Sequence, residues 1–327
     1  MRRFIGPLLI ALGATIATAE VPPTEANLAY GPDPAQRLDL WVAPGAAPTP
    51  LVITIHGGGW RPGGHRIPWE GPGVYLSRGI SVARVDYRHV PDHPLPAPVH
   101  DVACAIQFLR LHADRWRLDP RRFATSGSSA GGTTALWIAL HDDLADPDHP
   151  DPVRRQSTRI SAALAFDAQT SIEPRVLQEW LGRDVPWHIM IPTAVGEHSM
   201  DAVWSRLPEL EPLYREFSPI RHLDAEDPPI FLKYLLDPAL PPVDANHAIH
   251  HPAFGLRFQL RADSVGADCV LVLDRHARTP NRWQLLTRVF GLGNSDAKRP
   301  PQEQRGAPAE ADAPPGSGAA TPRYSPR

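Results

Sequence analysis

Arg122-Phe123-Ala124-Thr125-Ser126-Gly127-Ser128-Ser129-Ala130-Gly131-Gly132 decides how this chain folds. The first five residues form a short run, partly β-branched or aromatic, of the kind a buried strand uses. Residues 130–140 are apolar and of helical length. Between the two runs stands Gly127-x-Ser129-x-Gly131. Glycine and serine are common, so the bare motif is weak. A strand before it and a helix after it make it a sharp turn that holds Ser129 strained and exposed, as a nucleophilic serine requires.

A second glycine segment, His56-Gly57-Gly58-Gly59-Trp60, leaves the end of a continuous apolar run, Leu51-Val52-Ile53-Thr54-Ile55. Such a run reads as a core strand covered on both faces. Similar runs recur at 38–42, 81–85, 122–125, 161–166, 230–236 and 269–273, with helical patterns between them. Val99 to Trp116 places Val102, Ile106, Leu109 and Ala113 near helical spacing, predicting a crossover helix. Alternation of this kind predicts an α/β fold with a mostly parallel central sheet and flanking helices, its site at the carboxyl ends of the strands.

The 327 residues are 42% hydrophobic and 21% charged, enough for one large core, and the formal net charge of -3 gives no electrostatic case for nucleic acid. Met1-Arg2-Arg3, the apolar stretch Phe4 to Ile16 and Ala17-Thr18-Ala19 have the three regions of a secretory signal peptide. Residues 1–19 are therefore expected to be cleaved, leaving a periplasmic or secreted protein with no stable membrane span, and the catalytic domain is expected over 20–292. Within it, 167–227 is rich in proline and tryptophan and interrupts the alternation, as either a lid or wall over the pocket or an ordinary packed helical excursion. Residues 293–327 are too poor in apolar side chains to order themselves and read as a disordered tail. Cys104 and Cys269 read as small buried apolar residues. Neither they nor the histidines show zinc-ligand spacing, so no metal is expected.

The glycine segments, together with Val85-Asp86-Tyr87-Arg88, His100-Asp101 and Leu118-Asp119-Pro120-Arg121-Arg122, occur in an order that resembles the hormone-sensitive-lipase-like branch of the α/β-hydrolases, close to bacterial carboxylesterases of the feruloyl-esterase-like type. The resemblance spans roughly residues 35–280 and is most specific over 51–140. It implies that the backbone amides of Gly58, Gly59 and Ala130 form an oxyanion hole. His56 reads as a loop-turning residue, and Asp86, Arg88 and Asp101 as polar scaffold beneath the loops.

A serine hydroxyl needs a general base held by a carboxylate, and in this fold the chain order is serine, acid, histidine. His276 stands just past the last apolar run and is the expected base. His247, His250 and His251 are rivals that precede that run. Asp237, directly after residues 230–236, is the expected acid, with Asp244 as its rival. Both also suit a cap or turn. The expected activity is cofactor-free hydrolysis of small acyl or carbohydrate-linked esters through an acyl-enzyme. An amidase or peptidase on the same groups and a catalytically silent binding protein are the alternatives. Trp60, Trp69, Trp180 and Trp187 could stack on a sugar or fill the core.

Overall fold

The computed structural model describes residues 21–62, 71–273 and 281–293. The expected signal peptide, Trp69, His276 and the tail from 294 onward lie outside the described residues. Eight strands form one sheet: β1 (Glu25–Ala29), β2 (Arg37–Trp41), β3 (Thr49–Ile55), β4 (Ser81–Val85), β5 (Leu118–Ser128), β6 (Ala162–Phe166), β7 (Ile230–Lys233) and β8 (Cys269–Val272). Their spatial order is β1-β2-β4-β3-β5-β6-β7-β8. β2 runs antiparallel to both β1 and β4, and every other pairing is parallel. β1 has no apolar alternation and escaped the sequence reading. It is an exposed edge strand whose register comes from its partner β2.

Helices cover both faces of the sheet. α1 (Gly71–Leu76), α2 (Ala97–Leu111) and α3 (Ala130–Leu140) follow β3, β4 and β5 in turn. α4 (Pro174–Leu181), α5 (Met190–Ala194), α6 (Met200–Ser205) and α7 (Leu207–Glu216) lie in the 167–227 segment. α8 (Ala245–Ile249) and α9 (Ala253–Val265) lie between β7 and β8, and α10 (Arg282–Phe290) comes last among the described residues.

Strand β3 shows why its residues need no polar face. All seven are buried, and successive side chains point to opposite sides. Leu51, Ile53 and Ile55 share a core with Val102, Ile106 and Leu136 from α2 and α3. Val52 turns the other way, into a layer with Ile80, Leu286 and Phe290. Each fully buried aliphatic of this kind contributes about 1.5–3 kcal/mol, so the centre of the sheet is the rigid platform for whatever its carboxyl ends carry.

Two boundaries differ from the pattern reading, each for a local reason. α2 ends at Leu111, and Ala113–Trp116 is a separate 3-10 turn in which the Trp116 indole donates to Glu25 Oε1 at 3.0 Å. β7 stops at Lys233 because the Leu235 amide leaves the ladder to donate to Asp167 Oδ1 at 3.1 Å. Asp237 therefore sits out in the following loop. In the 167–227 segment Leu177, Met190, Ile191, Tyr214 and Phe217 join the main core, so this excursion is packed onto the sheet rather than hung from it.

The turn from β5 into α3 is closed by contacts that leave no room for a side chain. A Cβ on Gly127 would lie 2.3 Å from the Gly131 carbonyl, and one on Gly131 would lie 2.2 Å from the Ile55 oxygen and 2.5 Å from the His56 oxygen. Those neighbours are backbone and cannot move aside. Gly131→Ala is expected to lower the unfolding free energy by about 3 kcal/mol, the upper end for overpacking, and to remove activity; urea denaturation followed by tryptophan fluorescence measures the first and ester hydrolysis the second.

Candidate active site

Ser129 stands between β5 and α3 with φ 53° and ψ −128°, a conformation that costs a non-glycine residue about 1–3 kcal/mol. Both sides hold it there. Its amide donates to the Phe166 oxygen at 2.8 Å, and its carbonyl accepts from the Thr133 amide at 2.9 Å. β5 is locked between β3 and β6, so the strain cannot relax by moving the strand.

The glycine loop after β3 closes against this turn. A Cβ on Gly57 would meet the Ser128 oxygen at 2.6 Å and the Ser129 Cβ at 3.3 Å. Gly58 and Gly59 have φ of 98° and 65°, a path that glycine follows without the strain a side chain would add. His56 is buried and stacked on Tyr87 at 4.2 Å between ring centroids, with Nδ1 2.9 Å from the Gly57 oxygen, while the Tyr87 hydroxyl donates to the His56 oxygen at 2.8 Å. Beneath the loop Arg88 forks onto both oxygens of Asp101, which also accepts from Gln36. Trp60 is fully buried and donates to Thr134 Oγ1 at 2.9 Å, which makes it core rather than a stacking platform. Among the described residues, none accepts a hydrogen bond from the amides of Gly58, Gly59 or Ala130. Ala130 is the first residue of α3, where an amide has no intrahelical acceptor. Unspent donors of this kind suit charge that develops on a substrate oxygen.

The imidazole at Ser129 is His250. Its Nε2 lies 2.8 Å from Ser129 Oγ, and its Nδ1 lies 3.0 Å from the Asn246 oxygen. A carbonyl only accepts, so Nδ1 carries the hydrogen and the Nε2 lone pair faces the serine, the tautomer a general base needs. His250 follows the five-residue α8, between β7 and β8 rather than after β8. Reasoning from chain order favoured His276, and that position falls outside the described residues. The signal that could have found the base was in plain view: His247, His250 and His251 cluster in one loop at the carboxyl end of the sheet.

Neither expected acid reaches this imidazole. The Asp237 carboxylate is exposed and accepts from the Ala239 amide at 2.9 Å, a turn role. Asp244 is the N-cap of α8, accepting from the His247 amide at 2.7 Å. Both carboxylates went to local backbone donors, as short polar side chains do at turns and helix starts. The third member of the constellation is thus a main-chain oxygen. Burial pushes the His250 imidazole below its ordinary value, only partly offset by the bond to Asn246.

Next to His250 lies His188, with 6.4 Å between ring centroids and its own titration depressed by burial first and then by the neighbouring His250 and Arg61. His188, with Trp187, Pro192 and Met200, lines a cavity of about 360 Å³ contributed by the 167–227 segment. Met190 of the same segment comes within 3.3 Å of where a Gly59 Cβ would stand. Trp187 packs edge-on against Trp204, and Trp180 lies apart, edge-on to Phe254. Among the described residues no group of three or more His, Cys, Asp or Glu side chains is placed to hold a metal ion. Cys104 and Cys269 are free and half-buried rather than fully enclosed.

Known proteins resemble this chain in sequence and in fold. The BD-FAE family model matches residues 38–242. The esterase LipC of Mycobacterium tuberculosis is 29% identical over 209 residues, which cover 62% of this chain and 48% of that protein. This chain spans about half the length of the relatives it matches. The acetyl ester-xyloside bifunctional hydrolase from Caldicellulosiruptor lactoaceticus superposes with a TM-score of 0.55 at 24% identity, over 74% of this chain and 78% of that one. A carbohydrate esterase from gut microbiota, in truncated form, gives 0.58 at 17% identity, over 76% and 86%. At these identities the two structures establish the shared fold.

The two displaced carboxylates make a separable pair of predictions. Asp237→Asn is expected to leave kcat/KM within about threefold of the parent. Asp244→Ala is expected to destabilise the protein by about 1 kcal/mol through loss of the cap on α8. Steady-state kinetics and thermal melts of the two variants check both.

Proposed function

The chain belongs to the BD-FAE family, and we propose that it is a serine carboxylic-ester hydrolase in which Ser129 is the nucleophile and His250 the general base. The 2.8 Å contact between Ser129 Oγ and His250 Nε2, at a strained strand-to-helix turn beside three unspent amides, carries this reading. As Oγ attacks the ester carbonyl its proton passes to Nε2, and the amides of Gly58, Gly59 and Ala130 take the developing oxyanion, at typically about 3 kcal/mol per donor. The imidazolium then protonates the departing alcohol, leaving an acyl-enzyme. Water, deprotonated by the same Nε2, attacks the acyl carbon and releases the acid. No step requires a cofactor.

Small acyl groups are the substrates we favour, with the alcohol side carried by a carbohydrate as the narrower form of the proposal. The 360 Å³ cavity lined by His188, whose ring is 6.4 Å from that of His250, has room for a small acyl or sugar unit, and two proteins of the same fold carry acetyl ester-xyloside and carbohydrate esterase in their names. The charged, apolar and small-residue regions over 1–19 support export to the periplasm or beyond, where such esters would be met.

Two experiments test the reading. His250→Ala and Ser129→Ala should each reduce hydrolysis of a p-nitrophenyl acyl ester by about 10³-fold or more, while His276→Ala stays within about tenfold of the parent; the reverse ranking of the two histidines would overturn the assignment. The base is active only when neutral, and burial favours its neutral form, with no carboxylate among the described residues to oppose that. The acid limb of the kcat/KM profile should therefore have its midpoint below the ordinary imidazole value of 6.5, and a limb well above 6.5 would contradict the geometry.

A further inference from the structure

We propose that Gln169 is the positioning residue that sets the Ser129 to His250 contact, an inference that rests on the dyad assigned above. Gln169 lies in the loop after β6 and is completely buried. Its Oε1 accepts from the Thr133 hydroxyl at 3.0 Å, and its own amide donates back to that hydroxyl at 3.0 Å. Its Nε2 donates to the Ile249 oxygen at 2.6 Å and to the Asp167 oxygen at 3.2 Å. The amide orientation is fixed by chemistry, since two carbonyls face one end and a hydroxyl proton the other.

Two of these partners, Thr133 and Ile249, adjoin the two reacting residues. Thr133 lies one turn into α3 from Ser129 and donates its amide to the Ser129 carbonyl at 2.9 Å. Ile249 is the last residue of α8 and immediately precedes His250. A single side chain therefore spans from the nucleophile's helix to the base's helix. The link matters because α8 is too short to be stable by itself, and what holds the His250 ring is the α8 backbone, through the Asn246 oxygen. In a triad with a carboxylate, a shift of this segment could be absorbed by the acid side chain. Here any shift of α8 moves the ring directly, and misplacement by about 1 Å can cost about 10²-fold in rate.

Gln169→Met keeps the length and volume while removing every polar contact of the side chain. Its kcat toward a p-nitrophenyl acyl ester should fall about 10²-fold with KM within about threefold, and the rate at which a fluorophosphonate labels Ser129 should fall in parallel. Thr133→Val cuts the link to the nucleophile's helix, together with the 3.3 Å contact of the Thr133 hydroxyl to the Ser129 oxygen, and should lower kcat by about fivefold to tenfold. It serves as the test if Gln169→Met does not fold. In the His250→Ala background Gln169→Met should give no further loss, because a residue acting through His250 has nothing left to act on. A folded Gln169→Met with kcat within about threefold of the parent would overturn the proposal. So would an equal loss in both backgrounds, which marks a general structural role, or an unchanged kcat in Thr133→Val. If His250→Ala itself keeps activity, the base assignment fails and this inference with it; if only the Gln169 and Thr133 variants are neutral, the inference fails alone.

Discussion

Everything at this site depends on the close approach of two backbone segments, the β5-to-α3 turn and the loop leaving β3. The Ile55 and His56 carbonyls lie so near Gly131 that no β-carbon fits, and Gly57 is pressed in the same way against Ser128. These contacts fix Ser129 at its positive φ and bring the Gly58, Gly59 and Ala130 amides to the same end of the sheet. The strain of about 1–3 kcal/mol at Ser129 is small beside the burial of Leu51, Ile53 and Ile55 on one face and Val52 on the other, which is why the sheet can hold it. Nucleophile and amides come from one rigid body. The base does not.

That difference explains what was legible in the sequence and what was not. The elbow and the glycine loop could be read because steric exclusion is local: the motif glycines, Gly127 and Gly131, meet backbone directly, and the flanking apolar runs announce the strand and the helix. The central strands could be read because burial on both faces leaves an unbroken apolar pattern. β1 could not, because an exposed edge strand takes its register from pairing with β2 rather than from its own side chains. The imidazole at Ser129 is less legible for a different reason. Chain order points to His276, outside the described residues, whereas the position of His250 depends on how the segment after β7 folds back over the sheet, where the buried Gln169 side chain donates to the Ile249 oxygen. Asp237 and Asp244 were plausible on composition, and each found a nearer backbone donor.

The excursion over 167–227 links the core to the site. Tyr214, Phe217 and Ile191 anchor it in the apolar interior, and the Leu95 amide donates to the Ala194 oxygen at 2.8 Å. With its body fixed in this way, His188 and Met190 are presented at the edge of the oxyanion loop and beside His250. The His188 imidazole there is itself held below its ordinary value, by burial first and then by the neighbouring His250 and Arg61. The electrostatics of His250 therefore come from desolvation, partly offset by its bond to the Asn246 oxygen, with no carboxylate among the described residues to raise its basicity.

Three histidines share the loop between β7 and α9, and only one of them has a nitrogen to spare. His247 donates from Nε2 to the Asp237 oxygen at 2.6 Å and accepts at Nδ1 from the Val243 amide at 3.2 Å. His251 donates from Nε2 to the Ala239 oxygen at 3.1 Å and accepts at Nδ1 from the Ala253 amide at 3.0 Å. Both rings are buried, stand 5.0 Å apart, and spend both nitrogens stapling residues 237–243 onto the start of α9. His250 spends only Nδ1 on the backbone, so its Nε2 remains for the serine. The two structural imidazoles build the shelf on which the third can work, and the choice of base follows from hydrogen-bonding capacity rather than from position in the chain.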